Sequence, residues 1–217
     1  MNNTNISTLP ESFHHKIIGA FGDLGKEWLY SLPALLSDCE QRLDLKIGAQ
    51  LRHLSYGFVA NAIQSDGTEI IIKAVVSVAE LSHEIKALEL MSGPGMVDLL
   101  HADKIKGILL LEKLMPGETL ATLESDSEAT CIAAEVMQKL WRLDNHQDFP
   151  STQQWFEWLA QPINASSIVS PSLIDRARKI SEELHQSMSE PVLLHGDLHH
   201  FNILSAARQP WLAIDPK

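Results

Sequence analysis

The chain has 217 residues, 45% of them hydrophobic, and 17 Lys and Arg against 28 Asp and Glu give it a formal net charge of −11. This length and composition suit one large or two small folded domains and exclude a disordered chain. The acidic balance argues against nucleic acid as a partner, because backbone phosphates need a basic face, and it is compatible with a cationic small molecule.

Cys39 and Cys131 stand far apart, without CxxC spacing or metal-ligand companions, so a reducing compartment is expected. The first ten residues carry no basic stretch followed by an apolar run, and a signal peptide is not expected. The longest apolar runs, near Ile70–Ile72 and Ile108–Leu111, are too short to span a membrane. The expectation is a cytoplasmic protein with no nucleic-acid or membrane partner. Oligomeric state is not legible.

Residues 1–10 read as a loose tail. Leu24, Trp28, Leu32, Leu35, Leu36, Cys39 and Leu43 recur at helical spacing, with Pro33 breaking the pattern into two helices or starting the second. Leu51–Gln64 and Glu69–Ser77 read as strands joined at Ser65-Asp66-Gly67, a hairpin signal. Val78–Met91 reads as a helix ending at Gly93-Pro94-Gly95. Val97–His101 and Gly107–Leu114 read as further strands, closed by Met115-Pro116-Gly117.

Beyond this point the pattern becomes helical. Helices are expected over Ser125–Leu143, near Gln153–Ala160 and over Pro171–Met188, with a Ser/Pro-rich loop at Asn164–Ser172. Short strands follow at Val192–Leu194, Asn202–Ser205 and Trp211–Ile214. A sheet with one inserted helix, then a helical region, suggests two lobes with a ligand cleft between them.

The sharpest local signal is His195-Gly196-Asp197-Leu198-His199-His200-Phe201-Asn202, followed thirteen residues after Asn202 by Asp215 at the end of an apolar run. Phosphoryl transfer needs a carboxylate to orient the attacking hydroxyl and accept its proton, and oxygen ligands for Mg²⁺ on the nucleotide phosphates. A hairpin over Ile203–Ile214 brings Asp215 back beside Asn202. Taken singly, each element also fits a turn or a strand end. The order and the hairpin-forming sequence between them favour the chemical reading.

Residues 192–217, VLLHGDLHHFNILSAARQPWLAIDPK, resemble the catalytic core of the aminoglycoside phosphotransferase superfamily, and most of all its aminoglycoside/hydroxyurea antibiotic resistance kinase branch, which includes streptomycin phosphotransferases. Ile72-Lys73 at a strand end and the hinge-like Gly107–Leu114 followed by Pro116-Gly117 agree in order, so the resemblance spans roughly residues 45–217. It implies an α+β, protein-kinase-like two-lobed fold. Residues 1–114 would form N-terminal helices and an N-lobe with an antiparallel sheet plus a helix. Residues 115–217 would form a mainly helical C-lobe carrying the catalytic loop and lacking its C-terminal part.

The resemblance implies ATP and Mg²⁺ as cofactors and a small, cationic hydroxyl substrate such as an aminoglycoside. Asp197 would be the catalytic base, Asn202 and Asp215 the Mg²⁺ ligands, and Lys73 the ATP-phosphate contact. His195 would brace the loop, where Gly196 replaces the Arg of many protein kinases. The apolar run around Lys73 predicts a buried ammonium that needs a carboxylate or phosphate; Glu84 is the first candidate partner, Glu80 the second and Glu89 a poorer third. Ser55 and Gly57 lie in a stretch with a single glycine, which fits a phosphate-covering loop or an ordinary turn equally. Glu112 and Leu114 stand at the hinge.

His199-His200 are not expected to bind a metal, since magnesium prefers oxygen. Trp155 and Trp158 read as packing residues. Two alternatives stay open: a kinase of another small alcohol, or a shortened, catalytically silent nucleotide-binding or interaction protein.

Overall fold

The computed structural model describes residues 9–51, 54, 56–143, 149–156, 170–188 and 190–217, without the side chains of 78–80. The chain divides into two contact units, one of residues 1–140 with 195–217 and the other of residues 141–194. The lobe boundary expected after Leu114 falls inside the first unit.

The first unit opens with α1 (Glu11–Arg42), which kinks at Gly22, where φ is 58° and ψ −130°. Past the kink, Gly25 comes so close to Ile17 that an added Cβ would lie 2.7 Å from its carbonyl oxygen. The helix then runs straight through Pro33, where a break or a helix start was expected. A proline inside a helix costs about 3 kcal/mol. Leu32, Leu36 and Cys39 on the adjoining face are wholly buried, and at roughly 1.5–3 kcal/mol for each large apolar side chain their burial outweighs that cost.

A five-stranded antiparallel sheet follows in the order β1-β2-β3-β5-β4. Its strands are β1 (Leu45–Gln50), β2 (Gly57–Gln64), β3 (Glu69–Val75), β4 (Leu99–Asp103) and β5 (Ile108–Glu112), with α2 (Val78–Leu90) between β3 and β4. The Asp66-Gly67 turn joins β2 to β3, with Gly67 at φ 88° and the Thr68 N–H donating to Asp66 Oδ1 at 2.8 Å. The expected strand Leu51–Gln64 begins only at Gly57, and β1 lies before it. Residues 45–50 do alternate, with Leu45, Ile47 and Ala49 apolar, but the run is only six residues long and carries Gly48, so its local strand signal is weak and it is completed by pairing with β2.

Strand alternation decides which face meets what. Ile70, Ile72 and Ala74 of β3 are fully buried in one cluster with Phe13, Ile17, Leu32 and Leu36 of α1. Lys73, one residue out of phase, therefore emerges on the face away from α1. There α2, anchored by buried Leu81, Ile85 and Leu88, presents Glu84.

After β6 (Pro116–Thr119) comes α3 (Asp126–Leu140). β9 (Ile203–Ala206) and β10 (Trp211–Ala213) form a hairpin, and β6 joins it to make a three-stranded sheet in the order β10-β9-β6. The second unit pairs β7 (Arg142–Leu143) with β8 (Val192–Leu193) and holds α4 (Thr152–Phe156) and α5 (Pro171–Ser187). Ser170 caps α5, with Pro171 in its first turn. His185 joins α4 to α5 through Thr152 Oγ1 at 3.3 Å and an edge contact with Phe156. Trp158 lies outside the described residues.

Both cysteines are free thiols, Cys39 buried and Cys131 exposed. Among the described residues, no helix is long and apolar enough to cross a membrane.

The packing of α1 on the sheet predicts an unequal response along one helix. Leu36→Ala, at a wholly buried position, should lower stability by about 2–5 kcal/mol. Leu24→Ala, at a position 70% exposed, should change it by no more than about 0.5 kcal/mol. Urea midpoints of the two variants check this, and equal losses would contradict the packing described.

Candidate active site

Three segments converge in the first unit. The hairpin β9–β10 supplies two of the residues. Its register, Ala213 opposite Ile203, places Asn202 and Asp215 together at the open end, where the Ile214 N–H donates to the Asn202 carbonyl at 2.9 Å. Asn202 closes a 3₁₀ turn at the end of the loop that starts at His195, and its Nδ2 donates back to the Asp197 carbonyl at 3.0 Å. That bond fixes the amide's orientation with its nitrogen spent inside the loop.

His195 braces the loop from within. It is buried; Nε2 lies 2.9 Å from the Ile214 carbonyl and Nδ1 lies 3.3 Å from the Asp197 N–H. One partner is an acceptor and the other a donor, so the neutral tautomer with the proton on Nε2 satisfies both. Burial lowers the His195 pKa and favours that neutral form. Gly196 sits at φ 82°, and an added Cβ would lie 2.6 Å from the Lys217 carbonyl oxygen. A side chain is excluded there on both counts.

The electrostatic centre is Lys73. Its Nζ donates at 2.6 Å to Glu84 Oε1 and at 2.6 Å to Asp215 Oδ1. Only 12% of the lysine side chain and 9% of the Glu84 side chain are exposed. The Lys217 ammonium adds a second cation to the same Asp215 oxygen at 3.2 Å. Asp215 itself takes a positive φ of 59°, which is uncommon outside glycine and typical of strained functional positions.

Burial alone would lower the Lys73 pKa, but two carboxylates outweigh it and raise the value. Burial likewise pushes Asp215 up, yet Lys73 and Lys217 together hold it below the usual aspartate range. Glu84 moves the other way. Its burial exceeds the attraction of a lysine that it shares with Asp215, and its pKa rises. The directions differ because both carboxylates share Lys73, but Glu84 is the more deeply buried and Asp215 alone has Lys217 as a second cation in contact.

Asp197 projects from the loop with 43% of its side chain exposed, and His199 Nε2 lies 3.7 Å from its Oδ1. The site thus presents an accessible carboxylate together with a largely buried ion cluster of Lys73, Glu84 and Asp215, in which Lys217 supplies the second cation. Among the described residues, no group of three His, Cys, Asp or Glu side chains gathers as a metal site.

The remaining candidates are more dispersed. Of the two leading glutamates, Glu84 makes the Lys73 contact, while the Glu80 side chain and all of Ser55 lie outside the described residues. Gly57 is the buried first residue of β2, where a Cβ would come within 2.9 Å of the Ala74 carbonyl. Glu112 ends β5; its N–H donates to the Asp98 carbonyl at 2.9 Å and its carboxylate engages Arg208. Leu114 is buried just beyond.

Sequence reasoning missed Lys217 and Arg208. The spacing of Lys217, two residues after Asp215, could have suggested the first. A lone arginine in a turn gives no signal for the second.

The depressed pKa of Asp215 has a pH consequence. A carboxylate with a lower pKa folded than unfolded contributes stability that is present above its ordinary value of 3.8 and is lost as pH falls through the folded value. Asp215→Asn should therefore be less stable than wild type at pH 7, with the gap narrowing as pH drops below 3.8. Denaturant unfolding across that range measures it; a gap independent of pH would contradict the assignment.

Comparison with known proteins agrees with this geometry. The sequence profile of the aminoglycoside/hydroxyurea antibiotic resistance kinase family matches residues 53–217. The streptomycin 6-kinase of Streptomyces griseus is 30% identical over 96% of this chain and 69% of its own length. The hydroxyurea phosphotransferase of Kitasatospora aureofaciens is 31% identical over 90% of this chain and 59% of its own. Among solved structures, the choline kinase LicA from Streptococcus pneumoniae superposes with a TM-score of 0.57 at 17% identity, over 86% of this chain and 68% of that one. LicA in complex with AMP gives 0.55 at 14% identity, over 84% and 67%. The structural likeness carries the kinase-like α+β fold, and the sequence match carries the chemistry class: this chain, a small-molecule phosphotransferase, belongs to the aminoglycoside/hydroxyurea antibiotic resistance kinase family.

Proposed function

We propose that the protein transfers the γ-phosphate of ATP to a hydroxyl of a small cationic molecule, an aminoglycoside such as streptomycin. The observation that carries this reading is Lys73, held 2.6 Å from both Glu84 and Asp215 beside the loop bearing Asp197 and Asn202. The cytoplasm, where ATP and reduced thiols are available, is the proposed setting. The proposed lobes are residues 1–114 and 115–217.

The donor set fits a divalent cation. Asp215 Oδ1 already accepts two ammonium groups, and the Asn202 amide has its nitrogen committed to Asp197. Both residues would thus offer oxygen to a hard ion. When bound, Mg²⁺ would neutralise charge on the phosphates.

The protein's own groups do the rest. Lys73 would exchange Asp215 for a nucleotide phosphate while keeping Glu84. The 51–56 connection with Ser55, together with the start of β2 at Gly57, would cover the phosphates. Backbone groups of Glu112 and Leu114 would meet the base where the chain leaves β5, while the Glu112 carboxylate stays with Arg208.

Asp197 would orient the acceptor hydroxyl and take its proton. The hydroxyl oxygen bonds to the γ-phosphorus as the bond to the β,γ-bridging oxygen breaks, leaving ADP and a phosphate ester.

A second acceptor, hydroxyurea, is favoured by the 31% identical hydroxyurea phosphotransferase. An ADP-release assay with streptomycin, hydroxyurea and choline separates the readings. Turnover with streptomycin is expected, and ATP binding without turnover on any acceptor would contradict the proposal.

Two substitutions test the roles. Asp197→Asn should slow transfer by about 10²- to 10⁴-fold in kcat with little change in the KM for ATP. Asp215→Ala should instead weaken Mg·ATP binding, since it removes a charged ligand from a hard cation. If both variants lose nucleotide affinity equally, the division of roles is wrong.

A further inference from the structure

Arg208 sits in the turn between β9 and β10, at the opposite end of the hairpin from Asn202 and Asp215. Its Nε donates to Glu112 Oε1 at 2.9 Å and Oε2 at 3.0 Å, and Nη2 donates to Oε2 at 2.9 Å. Nη2 also donates to the Met96 carbonyl and lies 3.4 Å from Asp98 Oδ1. Next to it, Gln209 Oε1 accepts from the Gly95 N–H at 3.2 Å. Strand β10 runs along the same segment, with the Ala213 N–H on the Gly95 carbonyl at 2.7 Å and the Val97 N–H on the Ala213 carbonyl at 2.9 Å.

An isolated surface ion pair is worth at most about 1 kcal/mol. This one differs in kind. Several N–H groups of one planar guanidinium hold both oxygens of a carboxylate that is only 24% exposed, and the same guanidinium also fills a carbonyl and nears a second carboxylate.

Its position matters more than its strength. Glu112 lies opposite Ile70 of β3, three residues before Lys73. The hairpin therefore has two charged ties to the five-stranded sheet, Arg208–Glu112 at its turn and Asp215–Lys73 at its open end. In the reaction proposed above, the second tie is surrendered when Asp215 takes up the metal. The first is not, because the Glu112 carboxylate and the Met96 carbonyl have no part in that chemistry.

We propose that Arg208 is a positioning residue for phosphotransfer: its clamp on Glu112 holds the hairpin to the sheet once Asp215 has left Lys73, and so keeps Asn202 and Asp215 in place to ligate the metal. This rests on the assignment of those two residues as metal ligands. A clamp needed in the metal-bound state acts on the affinity gained from the metal. A merely structural contact would weaken nucleotide binding with and without metal alike.

The test is calorimetric titration of the full chain with a non-hydrolysable ATP analogue, with and without Mg²⁺. Wild type should bind more tightly with Mg²⁺. In Arg208→Met that Mg²⁺-dependent gain should shrink about five-fold or more, the lower end of measured coupling between sites, while metal-free affinity stays within about two-fold. Arg208→Lys, which keeps the charge but not the fork, should fall between the two. The exchanged pair R208E with E112R should recover part of the gain, and these two variants carry the test if Arg208→Met does not fold. A wild type without any Mg²⁺-dependent gain would overturn the metal assignment itself. A wild-type gain retained in full by Arg208→Met, or an equal weakening of both titrations, would overturn the role of Arg208.

Discussion

The site depends on one buried ammonium. Lys73 reaches β3's far face because its neighbours Ile72 and Ala74 are pinned against α1, and it arrives where desolvation would make a lone charge untenable. Glu84 and Asp215 make it tenable. Removing Lys73 itself would cost on the order of 3–5 kcal/mol, because both carboxylates would lose the cation that they share. The three residues come from β3, α2 and the end of the hairpin, so a single triad of charges joins three elements distant in sequence.

The same triad suggests how a resting site becomes a working one. In the structure Lys73 compensates Asp215, and Lys217 supports it. A metal on Asp215 would release Lys73 toward a phosphate without leaving either charge unpaired. The His195 brace, the Gly196 close approach and the Asn202–Asp197 bond involve no group that must move. The loop proposed to carry the chemistry can stay fixed while the cation partners change.

Much of this was legible in the sequence, for local reasons. The α+β order, the Asp66-Gly67 hairpin and the helix carrying Glu84 each have a short-range signature, and the spacing of Asp197, Asn202 and Asp215 implies the hairpin that joins them. What was not legible depends on tertiary contact. Strand β1 is short and carries Gly48, and its brief alternation of Leu45, Ile47 and Ala49 becomes a strand on the edge that β2 offers. Helix α1 continues through Pro33 because the buried face on either side outweighs one lost hydrogen bond. Arg208 finds Glu112 across 96 residues, a pairing that no local pattern announces. Sequence alone named Glu84 and Glu80 as the leading partners for Lys73, since both sit on the same predicted helix one turn apart; the structure places Glu84 in contact.

The central step is the proposed exchange of Lys73 between Asp215 and the nucleotide, and a crystal structure of the chain with Mg²⁺ and a non-hydrolysable ATP analogue observes it directly. The prediction is Lys73 Nζ within hydrogen-bond distance of Glu84 and a phosphate oxygen, with Asp215 and Asn202 oxygens on the metal. Lys73 still paired with Asp215 while nucleotide and metal are bound elsewhere would contradict it.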